Sequence, residues 1–477
     1  MYSFDRFVKD FFRLFDCFIS KKYVTEDNRF IRDRKMTQKE YTAYIFFQRS
    51  CTAYIEAIRF FTIMLSNDFE TISSQAIGKQ RMYIDPNVFI DMYELYINKL
   101  YDKFSGFSKF KGYIVCACDG SIVDLPNVTL TRQEFPLGDE YLLKEKRIRA
   151  RVSCFMDVHS KHILTTKIVE TTVNEIDLAI EHLENIKQRL DITKLITVYD
   201  RGYPSIELMM KTIDLDSKFL IRLPKNVFRH PIKQMKTNDE IIKINLTNNR
   251  LSHFDDENLK EKARKMGRLE IRIALVDIGK EEPEILATNL THDEFSSEDL
   301  KELYAKRWTV ETGFDRLKNL IEIEDFSGTR RKIIEQDFYA HIFVYNLAIT
   351  IKNHAEKYIT RTPRDKNEKI IYQSNFSKIT GNIYLFFFDI IFGSPKKREE
   401  IIDFIIKEAS KELTQEKEDE KIKKNEKPRM LKINIQETRK KHTNPNNFQK
   451  ISEFHILFNF LFRNHIKNLR NPILKLK

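Results

Sequence analysis

Glycine is scarce in this chain, with 12 residues among 477. The Gly-containing turns that stand out are Asp119-Gly120-Ser121 and Arg201-Gly202-Tyr203. That scarcity argues against a glycine-rich loop cradling phosphates. Cysteine is also sparse: Cys17, Cys51, Cys116, Cys118 and Cys154 make an odd number without framework spacing. Such usage argues for reduced thiols in a cytosol rather than a secreted disulfide scaffold. Cys116 and Cys118 lie in an apolar run with no second pair nearby, which reads as core and not as a metal pair. His159 and His162 fall at an expected hairpin turn and read as surface residues. Long apolar runs are missing. The longest, Ile383–Phe392, is about half a membrane span and contains Asp389. The N-terminus is aromatic but charged throughout, unlike a signal peptide. No membrane segment is expected.

Charge is what the chain has in plenty. Charged residues make up 32% of it and the net charge is +12, which calls for a polyanionic partner, nucleic acid first and a membrane surface second. From Lys396 to Lys477 there are 21 Lys and Arg against 12 Asp and Glu, so nine of the twelve excess charges sit at the C-terminal end. The length allows two to four domains with sizeable cores.

Residues 1–108 read as a helical N-terminal region, with apolar and aromatic residues at helical spacing around Tyr41–Leu65 and Val88–Tyr101. Between them, Ser73 or Ser74 can cap a short helix exposing Gln75, Lys79 and Arg81, a candidate reader of a DNA groove or an ordinary solvated face. Residues 109–224 change to β-β-β-α-β-α-β, a mixed α/β sheet. Within them Tyr113–Asp119 and Leu195–Asp200 read as strands ending in Asp. Residues 225–291 read as an all-β insertion. Helical periodicity resumes over 292–372, and 373–477 read as a basic helical C-terminal region.

The stretch YAKRWTVETGFDRLKN, Tyr304–Asn319, reads as one helix. On a helical wheel Tyr304, Arg307, Glu311 and Lys318 share an arc of about 60° bordering the apolar stripe. Such a stripe suits a half-dry carboxylate holding a metal and cations holding phosphate. It also suits an ordinary helix with one Arg307–Glu311 pair. Asp119 and Asp200, if on neighbouring strands, would lie about 4.8 Å apart. Glu311 can add a third carboxylate. Three such oxygen donors fit two Mg²⁺ ions, which activate one oxygen and stabilise another as it leaves.

These residues carry a resemblance. Tyr304, Arg307, Glu311 and Lys318 match the Y-x2-R-x3-E-x6-K signature of the insertion-sequence-four family of bacterial DDE transposases. Asp119-Gly120-Ser121 and Asp200-Arg201-Gly202-Tyr203 match its two Asp contexts, and the resemblance runs from roughly Thr71 to Asn346. It implies an α/β fold with an RNase H-like catalytic core interrupted by a β-rich insertion. Asp119, Asp200 and Glu311 would be catalytic and would hold Mg²⁺, with Mn²⁺ able to substitute. Tyr304, Arg307, Lys318 and Arg201 would contact DNA.

The implied partners are transposon ends, target DNA and a second copy in a synaptic homodimer, inside a bacterial cytoplasm. The implied reaction is cleavage at transposon ends followed by strand transfer, without a covalent enzyme–DNA bond. Some relatives hold a flipped base with a Trp in the insertion. Here the single Trp is Trp308, so a Phe such as Phe228 or Phe254 would take that place, or the hairpin-forming step that uses the flipped base would differ. Two alternatives stand beside this reading: another RNase H-fold nuclease such as a junction resolvase, and a catalytically idle DNA-binding protein derived from a transposase.

Overall fold

The computed structural model describes residues 21–32, 34–48, 52–64, 71–103, 109–136, 147–279, 282–359, 371–411 and 413–416. The charged N-terminus and the basic tail from 417 onward, with the expectations placed on them, lie outside these residues.

Capping decides where the N-terminal helices begin. Thr37 forms a reciprocal capping box with Glu40 and opens α1 (Gln38–Phe47). Thr52 opens α2 (Ala53–Arg59), and Ser73 accepts from the Ala76 N–H to open α3 (Ser74–Arg81). The amphipathic α4 (Asn87–Lys103) follows.

The chain then enters the central sheet with β1 (Ile114–Asp124), followed by the short α5 (Thr129–Glu134), β2 (Arg149–Asp157) and β3 (Ile163–Glu170). Asn174 caps α6 (Glu175–Lys187), which leads to β4 (Leu195–Tyr199), α7 (Ile206–Asp214) and β5 (Lys218–Leu223). Next come α8 (Arg229–Lys233), β6 (Asp239–Asn245), α9 (Asn248–Leu251), α10 (Glu257–Met266), β7 (Arg268–Val276) and β8 (Glu284–Thr288). The strands form one sheet in the order β3-β2-β1-β4-β5-β8-β7-β6. β4 is parallel to β1 and β5, and the remaining pairings are antiparallel.

Segment 225–291 is therefore not all-β. It holds three helices, and β8 pairs with β5, so its strands extend the central sheet. The Leu259 and Ala263 face of α10 is buried, and this apolar stripe makes it a helix despite the Lys and Glu around it.

The helical segment after the sheet also differs from expectation. It is two helices, α11 (Ser297–Ala305) and α12 (Trp308–Asn319), broken at Lys306 and Arg307. There the Arg307 N–H bonds back to Tyr304 O at 3.1 Å, a tightened three-residue turn. Gly313 lets α12 lie directly on Met156 of β2, where a Cβ would have to displace the Met156 thioether.

The 25-residue α13 (Arg331–Ala355) is buried on nearly every side, packing against α1, α4, β3 and the C-terminal helices. The ones it packs against are α14 (Phe376–Leu385) and α16 (Pro395–Lys411); between these two in the chain, α15 (Phe387–Phe392) lies against α1 and α16. A two-stranded pair, β9 (Ile371–Ser374) and β10 (Leu413–Glu416), brackets them, so the described part of this region is not purely helical. Among the described residues no helix is long and apolar enough to cross a membrane.

Two histidine and cysteine expectations resolve differently. Cys116, Cys118 and Cys154 are free and buried. His162 is also buried, contrary to the surface reading, and its Nε2 meets Thr350 Oγ1 of α13 at 2.9 Å.

Candidate active site at the β1–β4 edge

β1 does not stop at Asp119. It runs on to Asp124 because β2 pairs with it over Cys116–Asp124. β4 is shorter, and its parallel ladder to β1 ends at Cys118↔Tyr199. Asp119 and Asp200 are the next residues along the two strands, where the sheet opens. Asp119 accepts from the Gly120 N–H at 2.8 Å. Asp200 accepts from the Tyr304 hydroxyl at 3.1 Å, and Arg222 Nη1 of β5 lies 3.7 Å from it.

The break between α11 and α12 turns Arg307 into this edge. Its guanidinium lies 2.9 Å from Glu311 and 3.7 Å from Asp119, with only 4% of the side chain exposed. It also acts electrostatically on Asp200. It stacks near Trp308 at 4.9 Å from the ring centroid, and its buried Nε has no hydrogen-bond partner. The four helix residues therefore do not share one half-dry environment. Tyr304 and Arg307 are buried and Glu311 is exposed. Lys318 is half-buried, with its Nζ donating to Ile122 O at 2.6 Å. Arg201 is exposed beside Asp200.

The site pushes its two aspartates apart. Burial raises the Asp119 carboxyl to about 6, with Glu311 and Asp200 adding to the rise against Gly120 N–H and Arg307. Burial also pushes Asp200 up, but the Arg201 N–H, Arg307, Tyr304 and Arg222 together hold it below the ordinary value. Burial raises the Tyr304 phenol to about 12.

Among the described residues no three acidic, histidine or cysteine side chains are gathered as they would be around one ion. This corrects the expectation of carboxylates already close enough to share metals: Arg307 stands between them. The donor chemistry nonetheless fits a hard divalent cation, since two carboxylate oxygens already face one positive group and a third feels its charge.

Sequence reasoning missed Arg222, Arg151 and Glu175. Arg222 is held by Glu284 at 2.6 Å. Arg151 of β2 is paired with Glu175 at the start of α6.

On α3, Gln75 and Lys79 are exposed, but Arg81 is not a groove reader. It is 2% exposed and ion-paired to Asp337 at 2.6 Å, with Gln336 and Gln48 also bonded to it. Beside α3 lies a cleft of about 680 Å³ that sequence reasoning also missed. Arg29, Arg32, Arg34 and Lys35 line it, with Gln80 from α3, and no described Asp or Glu does. Its signal was the RFIRDRK run at Arg29–Lys35. Of the two Phe residues considered for holding a base, Phe254 is buried in the core, whereas Phe228 is half-buried at a left-handed φ of 50°.

Asp119, Asp200 and Glu311 thus come from two adjacent strands and a following helix, with Arg307 and Arg222 interleaved among them. Residues 113–347 match the family model described as Transposase DDE domain. Domains of this family generally use divalent metal ions. A probable transposase for insertion sequence element IS5377 of Geobacillus stearothermophilus is 22% identical over 243 residues. The aligned part takes in 50% of this chain and 57% of that relative's length. Among solved structures, the cryo-EM structure of the piggyBac transposase synaptic complex with hairpin DNA is similar at a TM-score of 0.43 and 12% identity. That alignment covers 83% of this chain and 84% of the other.

Proposed function

We propose that this chain is a cut-and-paste DNA transposase of the insertion-sequence-four kind, with an RNase H-like core formed by β1–β5. The observation that carries the reading is the convergence of Asp119, Glu311 and Asp200 on the Arg307 guanidinium, just beyond the β1–β4 ladder. Asp119, Asp200 and Glu311 would hold Mg²⁺, or Mn²⁺ in its place, and bound ions supply activation of water or a 3′-hydroxyl and stabilisation of the leaving oxygen.

The chain's own residues do the rest. Arg307 neutralises the acidic cluster from its buried position, and rotation of its side chain toward bound DNA would present a planar fork that matches phosphate geometry. Lys318 and Arg201 add positive charge on the DNA side. Tyr304 keeps its proton far above neutral pH and orients Asp200 through its hydroxyl, which makes it a poor nucleophile. End recognition falls to Gln75 and Lys79 on α3 together with the basic cleft beside it, where four cations meet phosphates. Phe228 is the aromatic available to hold a flipped base. Two copies would synapse two ends.

The test uses end-labelled DNA carrying the borders of the element that encodes the chain, incubated with Mg²⁺. Expected are a nick at the border and joined products that require the freed 3′-hydroxyl, with Asp119→Asn binding the DNA but leaving it uncut. Nicking without joining would point to a nuclease, and full cutting by Asp119→Asn would remove the site from the reaction.

A further inference from the structure

We propose that Glu175 is a positioning residue that fixes the spacing between Asp119 and Asp200. The inference rests on the reading of those two residues as the core of the site.

Direct backbone pairing between the two strands stops just short of the aspartates. The ladder between β1 and β4 ends at Cys118↔Tyr199, one residue before the two aspartates. On the side of α6, one carboxylate lies beside both strand ends. Glu175 Oε1 lies 2.9 Å from where a Cβ on Gly120 would stand, and Oε2 lies 3.9 Å from the corresponding point on Gly202. Gly120 follows Asp119 directly, and Gly202 follows Asp200 by two residues. Glu175 thus fills the space beside Gly120 and lies within van der Waals reach of the side-chain position at Gly202, next to both segments that carry the aspartates.

Its own position is fixed from two sides. It opens α6 behind the Asn174 cap, where a carboxylate is favoured by the helix N-terminus. It is ion-paired with Arg151, which also donates to Thr171 O at 3.2 Å. Arg151 sits on β2 directly opposite Ile122 of β1, three residues past Asp119. The contact chain runs from β1 through β2 and Glu175 to the loop after β4.

This arrangement accounts for glycine at position 120. An added methyl would not strike backbone there. It would drive the Glu175 carboxylate away and strain its pairing with Arg151.

The experiment compares wild type, Glu175→Ala, Gly120→Ala and the double variant, all as full-length protein. Mn²⁺ binding is read by electron paramagnetic resonance without DNA, and thermal transitions are recorded in parallel. Loss of a residue that orients metal-holding groups typically lowers affinity by roughly 10- to 100-fold. Glu175→Ala and Gly120→Ala should each fall in that range. The double variant should be no worse than either alone, because the methyl then has nothing to displace. If Glu175→Ala loses its cooperative transition, Glu175→Gln, which keeps the volume without the ion pair, is compared with wild type as a single variant and should lose Mn²⁺ affinity in the same range. Wild-type Mn²⁺ affinity in Glu175→Ala, or additive losses in the double variant, would overturn the inference. Asp119→Asn in the same series separates the two readings: unchanged Mn²⁺ binding there would instead overturn the assignment of the site itself.

Discussion

The aspartate at position 119 should cost the folded protein stability, and replacing it with asparagine should show how much. Its carboxyl is raised from 3.8 to about 6 by burial first, then by Glu311 and Asp200, outweighing Gly120 N–H and Arg307. A folded-state value above the unfolded one means the native state binds the proton more tightly. Stability from this group is therefore intact below about pH 4 and is lost as pH rises to about 6. A rise of roughly two units corresponds to about 3 kcal/mol, and partial exposure of the side chain makes about 2 kcal/mol a fair expectation. Asp119→Asn keeps an oxygen to accept from the Gly120 N–H. Urea unfolding of both proteins in EDTA, from pH 4 to pH 8.5, should give coincident midpoints at the acid end. The variant should be more stable by about 2 kcal/mol above pH 6. Adding Mn²⁺ should then stabilise only the wild type. A variant less stable than wild type at pH 8 would show that attraction to Arg307 outweighs burial, and the argument would fail.

Other outcomes follow from particular contacts. Arg81→Met strands a buried Asp337 and should lower unfolding stability by about 3–5 kcal/mol, whereas Lys79→Met should leave stability unchanged and weaken only DNA binding. Gly313→Ala must push aside the buried Met156 thioether and should cost about 1–3 kcal/mol in denaturant unfolding; a neutral effect would show that Met156 repacks freely and refute the tight packing. Arg307→Lys should not restore strand transfer, since an ammonium cannot reproduce a planar fork, and wild-type product yield from it would contradict the phosphate role. Tyr304→Phe should retain appreciable cleavage, and a covalent protein–DNA adduct on a denaturing gel that vanishes in this variant would overturn the mechanism.

Local pattern carried part of the architecture. Apolar runs ending near Asp119 and Asp200 mark strands, and the Ser73 cap marks α3, because those signals lie within a few residues of what they control. The extent of β1 is not local. It is set by β2, whose alternation must be matched through Asp124. Arg81 read as exposed because its partner Asp337 lies 256 residues away. The break at Lys306–Arg307 arises where the site draws Arg307 inward, which helical periodicity cannot register. Glu175 and Arg222 look like ordinary charges on an amphipathic helix and strand, and only tertiary placement brings them to the aspartates.

The burial of α13 has a consequence for distance. The helix that holds α3 through Asp337 and Gln336 also packs against β3 of the sheet that bears the aspartates. No loose tether separates the surface proposed to grip DNA from the edge proposed to cut it. The interval between them is thus a built-in ruler. Under this reading the cut should fall at a constant number of base pairs from the bound sequence, and inserting a single base pair between the two should move the nick along the sequence while keeping that count.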